Sequence, residues 1–289
     1  MSFVTRFAPS PTGLLHLGHS YSAMLAHDAA RAAGGKFLLR IEDIDATRCR
    51  PEFETAIYED LHWLNLSWDK FVRRQSEHFA DYAAAIEKLR ALGVVYRCFL
   101  TRREIAEQSL SAPHGAGEGP DGIVYKGPAH PMSADEEEMR LARGDAYAWR
   151  LSMRYSQDLL GEDFARLVFV EQGRGSDSEQ IAARPDLAGD VILGRKDTPA
   201  SYHIAVVHDD ALQGVTHVIR GEDLRASTHV HVLLQRLLML PTPAYHHHPL
   251  LTGPDGKRYA KRDKSLTLAA LREAGVSPAD IRARIGLPA

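Results

Sequence analysis

The first nineteen residues do most to limit what this chain can fold into. Residues 3–7 read as a short strand, Ala8-Pro9-Ser10-Pro11-Thr12-Gly13 breaks it, and His16-Leu17-Gly18-His19 leads into a helical stretch over about 20–33 that Gly34-Gly35 ends. Prolines and a glycine packed so closely continue neither a central strand nor a helix. A strand that turns into a helix start sets unpaired N–H groups and a partial positive charge at the strand end, which suits phosphate. The alternation then continues. Residues 36–41 form an apolar run typical of a buried strand, Pro51 opens a second helix reaching about Leu64, and a third spans 77–92 before Gly93. Strand, helix, strand, helix with short links predicts a parallel, doubly wound α/β sheet.

The middle of the chain departs from that rhythm. Residues 109–131 are rich in Gly, Pro, Ala and Ser and read as a loop-rich insertion; 135–144 is a short charged helix and 162–171 strand. Alternation returns at Val191. Residues 202–208 and 215–219 read as strands, and Ser227 or Thr228 is placed to cap a helix running to Leu240, which Pro241 and Pro243 end. His246-His247-His248 leads as loop into a stretch rich in Gly, Lys and Arg, followed by short helices. The expectation is a nucleotide-binding fold in two halves, 1–95 and 191–245, split by an insertion over 96–190 and closed by a small segment over 246–289.

Four constellations carry chemistry. His16 and His19, three apart on one helical turn, can face one ligand, and Gly18 lets a nucleotide approach the backbone. The bare string is equally compatible with two ordinary histidines at a helix start. Lys257, Arg258, Lys261, Arg262 and Lys264 make a basic loop suited to a leaving pyrophosphate, or a solvated turn. Arg40-Ile41-Glu42-Asp43-Ile44-Asp45 stands at a strand end, where carboxylates can hold an ammonium or simply cap a turn. Arg220-Gly221-Glu222-Asp223 also follows a strand; its arginine can grip a carboxylate with two parallel bonds or form a structural ion pair.

Composition narrows the class. The formal net charge of −3 over 289 residues excludes a protein that lives wholly on nucleic acid, so RNA contact is expected to be local and salt-sensitive. Cys49 and Cys98 are the only cysteines, which gives no disulfide framework and points to a reducing, cytoplasmic setting. No secretory start and no membrane-spanning apolar run is read in the sequence.

Taken together, Arg6-Phe7-Ala8-Pro9-Ser10-Pro11-Thr12-Gly13-Leu14-Leu15-His16-Leu17-Gly18-His19, Arg40-Ile41-Glu42-Asp43-Ile44-Asp45, Val218-Ile219-Arg220-Gly221-Glu222-Asp223 and Lys261-Arg262 resemble, in order and over nearly the whole chain, the glutamyl-tRNA synthetase branch of the class I aminoacyl-tRNA synthetases. The resemblance implies an α/β fold, a Rossmann-type catalytic domain with an insertion and a short α-helical C-terminal segment. It implies ATP, with Mg, and glutamate as substrates. It assigns Arg6, Phe7, Ala8, Pro9, Ser10, Glu42, Tyr202 and Arg220 to glutamate, His16, Gly18, His19 and Lys261 to ATP, and catalysis to His16, His19 and Lys261. Only 24 residues follow Ser265, where full-length members of the branch carry an anticodon-binding region. The likeness is therefore to truncated members, which attach glutamate to the queuosine base in the anticodon stem-loop of tRNA(Asp). A monomer is expected.

Two departures stand out. The basic loop reads Arg258-Tyr259-Ala260-Lys261-Arg262, with alanine where the branch usually has serine. Many relatives also bind zinc through Cys-x-Cys and Tyr-x-x-x-Cys in the insertion. Here Cys98 and Tyr125 keep the first and third positions, while Leu100 and Ala129 take the second and fourth. No zinc is expected, with apolar packing around Leu100 in its place; His114 and His130 are the nearby histidines.

Overall fold

The computed structural model describes residues 2–110, 118–119, 122–128, 130–173, 177–196, 198–251 and 267–288. The expected basic loop, with Lys261, falls outside the described residues, as do His114 and Ala129. Strands β1 (Val4–Phe7), β2 (Lys36–Ile41) and β3 (Arg73–Arg74) pair in parallel, joined through helices α1 (Leu17–Ala32) and α2 (Pro51–Trp63). Helix α3 (Phe79–Ala91) leads to β4 (Val95–Cys98) and α4 (Arg102–Leu110). A minimal hairpin of β5 (Glu118–Gly119) and β6 (Gly122–Ile123) precedes α5 (Ala134–Ala142), β7 (Ala148–Leu151), α6 (Met153–Leu160) and α7 (Glu162–Ala165). Then come β8 (Val168–Gln172), β9 (Ser178–Ala182), β10 (Ile192–Arg195), α8 (Tyr202–Gln213), β11 (His217–Gly221), α9 (Arg225–Leu237), β12 (Ala244–His248), α10 (Leu268–Glu273) and α11 (Pro278–Arg284).

β11, β12 and β8 run parallel, with β9 antiparallel on the edge. β4, β7 and β10 form a separate antiparallel sheet. The two parallel groups meet between β1 and β11: Thr216 N–H donates to the Val4 carbonyl at 3.0 Å and Val4 N–H to Thr216 Oγ1 at 2.8 Å. Strand order reverses there, and ligands of doubly wound sheets bind in the crevice that such a reversal leaves.

Alternation along the strands explains why both faces are covered. Val4, Leu38 and Val218 pack into one apolar core with α8 and α9, while Phe7, Phe37, Leu39, Ile41 and Ile219 pack into a second with α1, α2, α10 and α11. A strand buried on both faces needs an almost unbroken apolar run, which Phe37 to Leu39 supplies. Arg40 interrupts that run, fully buried.

Several expected boundaries are corrected. Residues 202–208, expected as strand, begin α8. The run Tyr202, Ile204, Val206, Val207 has strand propensity, but seven residues of the helix are buried on more than one side, so packing decides the conformation. Gly214 ends it with φ 70°, in the left-handed region. Residues 162–165 are helical rather than strand. α1 begins at Leu17, not Ser20, and α9 at Arg225 after a short 3-10 turn, which places Ser227 and Thr228 inside the helix rather than at its cap. The histidine run 246–248 is strand, not loop.

Candidate active site

His16 is the N-cap of α1 in extended conformation, and its Nδ1 accepts the Gly18 N–H at 3.1 Å. The His19 Nδ1 in turn accepts the His16 N–H at 3.2 Å. A ring nitrogen that accepts carries no proton, so each neutral imidazole holds its proton on Nε2 as a donor. The rings lie 3.8 Å apart, centre to centre. A Cβ on Gly18 would come within 3.0 Å of the His16 ring, which is why glycine stands between the histidines. The reciprocal cap thus sets tautomer and orientation together.

Both rings and Gly18 border a cavity of about 420 Å³. The same cavity is bordered by Arg6, Phe7, Ala8, Pro9 and Ser10 from the end of β1, Glu42 after β2, Tyr202 at the start of α8 and Arg220 on β11. Every site residue expected from the sequence, apart from Lys261, therefore borders one cavity at the reversal point of the sheet. Lys261 is outside the described residues, but the residues on either side of that stretch are placed. Leu251 borders the cavity, Thr267 bridges to His16, and Leu268 N–H donates to the Leu15 carbonyl at 2.8 Å.

The charged wall is internally braced. Asp210 on α8 accepts on one oxygen from Arg6 Nε at 3.1 Å and from Arg40 Nη1 at 2.7 Å. Arg40 Nη2 reaches Glu42 Oε1 at 3.0 Å. Burial works against the Asp210 carboxylate, but the Arg6 and Arg40 charges outweigh it and hold its pKa below the usual range. At Glu42 burial wins over the same two arginines and the pKa rises. A cation brought beside Glu42 would pull its pKa back down.

Arg220 is gripped on three sides. Nη1 donates to the Tyr202 hydroxyl at 2.9 Å, Nη2 to Thr228 Oγ1 at 2.7 Å and the Leu224 carbonyl at 3.1 Å, and Nε to His247 Nε2 at 3.3 Å. Burial pushes the Tyr202 phenol up, so it stays a neutral hydroxyl. Asp210, Thr228 and His247 were not singled out as site residues from the sequence. Two adjacent acids just after an apolar stretch, Asp209-Asp210, were the available signal.

In the insertion, Cys98 is buried, and Leu100 and Tyr125 border a second cavity with it, Phe99 and Trp149. One thiol and one phenol do not make a zinc site, and among the described residues no group of three His, Cys, Asp or Glu is placed to hold a metal. Among the described residues no helix is long and apolar enough to cross a membrane.

Residues 2–287 match the family model "tRNA synthetases class I (E and Q), catalytic domain". The chain is 50% identical over 288 residues to the glutamyl-Q tRNA(Asp) synthetase of Rhodobacter capsulatus, covering 98% of this chain and 100% of that one. It is 41% identical to the protein of the same name from Symbiobacterium thermophilum, covering 94% and 82%. The crystal structure of the glutamate-tRNA synthetase from Elizabethkingia anophelis superposes with a TM-score of 0.73 at 27% identity over 91% of this chain. This chain spans about half the length of that one, 53%. The chain belongs to the class I tRNA synthetases, in the family of the E and Q catalytic domains, and is a ligase-type enzyme.

Proposed function

We propose that this protein activates glutamate with ATP and transfers it to the queuosine base in the anticodon of tRNA(Asp). The observation that carries the reading is the shared cavity. Arg6, Glu42, Tyr202 and Arg220 border the same cavity as His16, Gly18 and His19, so a small diacid with one ammonium and a nucleotide meet in one space. Two arginines answer two carboxylates, and Glu42, whose buried charge is costly alone, answers the ammonium. Phe7 to Ser10 supply the backbone floor. Glutamine brings only one carboxylate and would leave an arginine unmatched.

In the first step the glutamate α-carboxylate oxygen bonds to the α-phosphorus of Mg-bound ATP, and the bond to pyrophosphate breaks. His16 and His19 donate through Nε2 to the phosphate oxygens as charge grows, and Lys261 neutralises the leaving pyrophosphate. No covalent enzyme intermediate is needed; positioning and electrostatics supply the rate. In the second step a hydroxyl of the queuosine cyclopentene-diol attacks the acyl carbon and adenylate leaves. An unpaired anticodon base can be splayed into such a cavity. The same reading assigns 1–95 and 191–245 to the catalytic domain, 96–190 to an insertion and 246–289 to the basic loop and short helical segment, in a cytoplasmic monomer without bound zinc.

Glutamate-dependent ATP–pyrophosphate exchange is expected without any tRNA. Labelled glutamate is then expected on tRNA(Asp) carrying queuosine and not on the same tRNA without it. Absence of exchange would refute glutamate activation. Labelling that ignores queuosine would instead favour charging at a tRNA 3′ end.

A further inference from the structure

The arginine that faces the cavity from β11 is held by groups that reach back into the insertion. Arg220 and His247 are register partners across the parallel pair β11 and β12, so their side chains leave the sheet on the same face. Tyr245 on β12 pairs in turn with Glu171 on β8. Glu171 uses both carboxylate oxygens on His247: Oε1 accepts the backbone N–H at 2.8 Å and Oε2 lies 2.7 Å from Nδ1. The His247 side chain is 1% exposed. Its Nε2 lies 3.3 Å from Arg220 Nε and 3.0 Å from Thr228 Oγ1.

Only one assignment of protons satisfies all of these contacts. Arg220 Nε is always a donor, so Nε2 must offer its lone pair and the ring proton must sit on Nδ1, where Glu171 accepts it. The Thr228 hydroxyl fits the same pattern. It accepts from Arg220 Nη2 at 2.7 Å and donates to His247 Nε2. The Glu171 carboxylate is penalised by burial, but the two His247 bonds outweigh this and keep its pKa below the usual range. Tyr245, stacked parallel on His247 at 5.8 Å with its ring 5.5 Å from the Arg220 guanidinium carbon, closes the remaining side. None of these side chains except Arg220 borders the cavity, so their effect on a ligand must pass through the guanidinium.

We propose that Glu171 and His247 are positioning residues for amino-acid binding: Glu171 fixes His247 as the Nδ1–H tautomer, and His247 with Thr228 fixes the plane of the Arg220 guanidinium that receives the substrate carboxylate. The relay rests on the glutamate reading given above. It makes β8, part of the inserted stretch, a component of amino-acid selection. A substitution there alters glutamate affinity without touching the nucleotide end, where His16 and His19 are set by their own cap.

The test has a spectroscopic arm and a kinetic arm. In protein labelled with 15N at histidine, the His247 resonances, assigned from their loss in His247→Gln, should report a neutral ring protonated on Nδ1. Glu171→Gln leaves one acceptor oxygen where two are used. It should raise KM for glutamate in pyrophosphate exchange about tenfold, with kcat and KM for ATP changed by less than about threefold. His247→Leu should do the same, while His247→Gln, whose amide oxygen can accept from Arg220, should recover most of the lost affinity. A proton found on Nε2, or an unchanged glutamate KM in His247→Leu, would overturn the relay even if Glu171→Gln failed to fold. Wild-type protein without glutamate-dependent exchange would instead overturn the glutamate reading, and the relay's role with it. Failure of the relay alone leaves wild-type exchange intact.

Discussion

At the scale of single residues, the histidine end of the cavity depends on an absent side chain. Gly18 leaves the His16 ring room to lie over the first turn of α1, where a methyl group would come within 3.0 Å. Gly18→Ala should therefore tilt His16, break the bond from Gly18 N–H to Nδ1 and release the tautomer. Pyrophosphate exchange should fall by about tenfold or more, with glutamate binding measured by calorimetry little changed. An equal loss in both would contradict the assignment of His16 to the nucleotide. Of the expected residues that border the cavity, all but Tyr202 stand in contiguous motifs at a strand end or helix start, while Ser22 and His248 also border it and carry no such mark. The groups that support them were not legible. Asp210 reaches Arg6 from 204 positions away and Glu171 reaches His247 from 76, and no local pattern in one sequence pairs residues across such distances.

At the scale of elements, hydrophobic pattern identified β1, α1, β2, α2 and α3, because each is amphipathic or uniformly buried over enough residues to show its period. It failed at α8. A helix that is buried on several sides has no polar stripe to mark the 3.6-residue repeat, and β-branched residues then mimic a strand. The α1–β2 connection shows how little space the elements leave one another. Gly35 N–H donates to the Ala30 carbonyl at 2.7 Å and Lys36 N–H to the Phe3 carbonyl at 2.8 Å, and a Cβ at Gly35 would overlap the Phe3 carbonyl oxygen and its Cβ. Gly35→Ala should push β2 away from the start of β1 and destabilise the protein by about 1–3 kcal/mol, read as a lower urea midpoint at unchanged m. A midpoint equal to wild type would mean that the turn yields freely.

At the scale of the whole molecule, one buried acid links stability to pH. Asp60 on α2 is fully buried, and neither oxygen has a hydrogen-bond partner among the described residues, although Arg272 on α10 lies 3.3 Å from Oδ1. Burial, against the pull of Arg272, pushes its pKa up to about 7 from the ordinary 3.8. The folded chain thus holds this proton more tightly than the unfolded chain. The destabilising effect is complete above about pH 7 and is relieved as pH falls toward 4. Asp60→Asn removes the charge while Arg272 keeps its contact with Glu59 at 3.0 Å. The variant's advantage over wild type should grow between about pH 4 and pH 7 to as much as about 4 kcal/mol and level off above that. A difference in unfolding free energy that does not vary with pH would show that Asp60 is not the group responsible.

The bonds between Val4 and Thr216 join positions 212 residues apart. A chain made from its N-terminus at ~5–20 residues per second finishes β1 and β2 roughly 10–40 seconds before β11 leaves the ribosome. During that interval one edge of β1 has no strand beside it, and the turn with His16 and His19 stands over an open seam. The residues that border the cavity from β1 and α1 and those that border it from α8 and β11 are brought together only when that seam closes. The cavity is therefore completed late in the birth of the molecule.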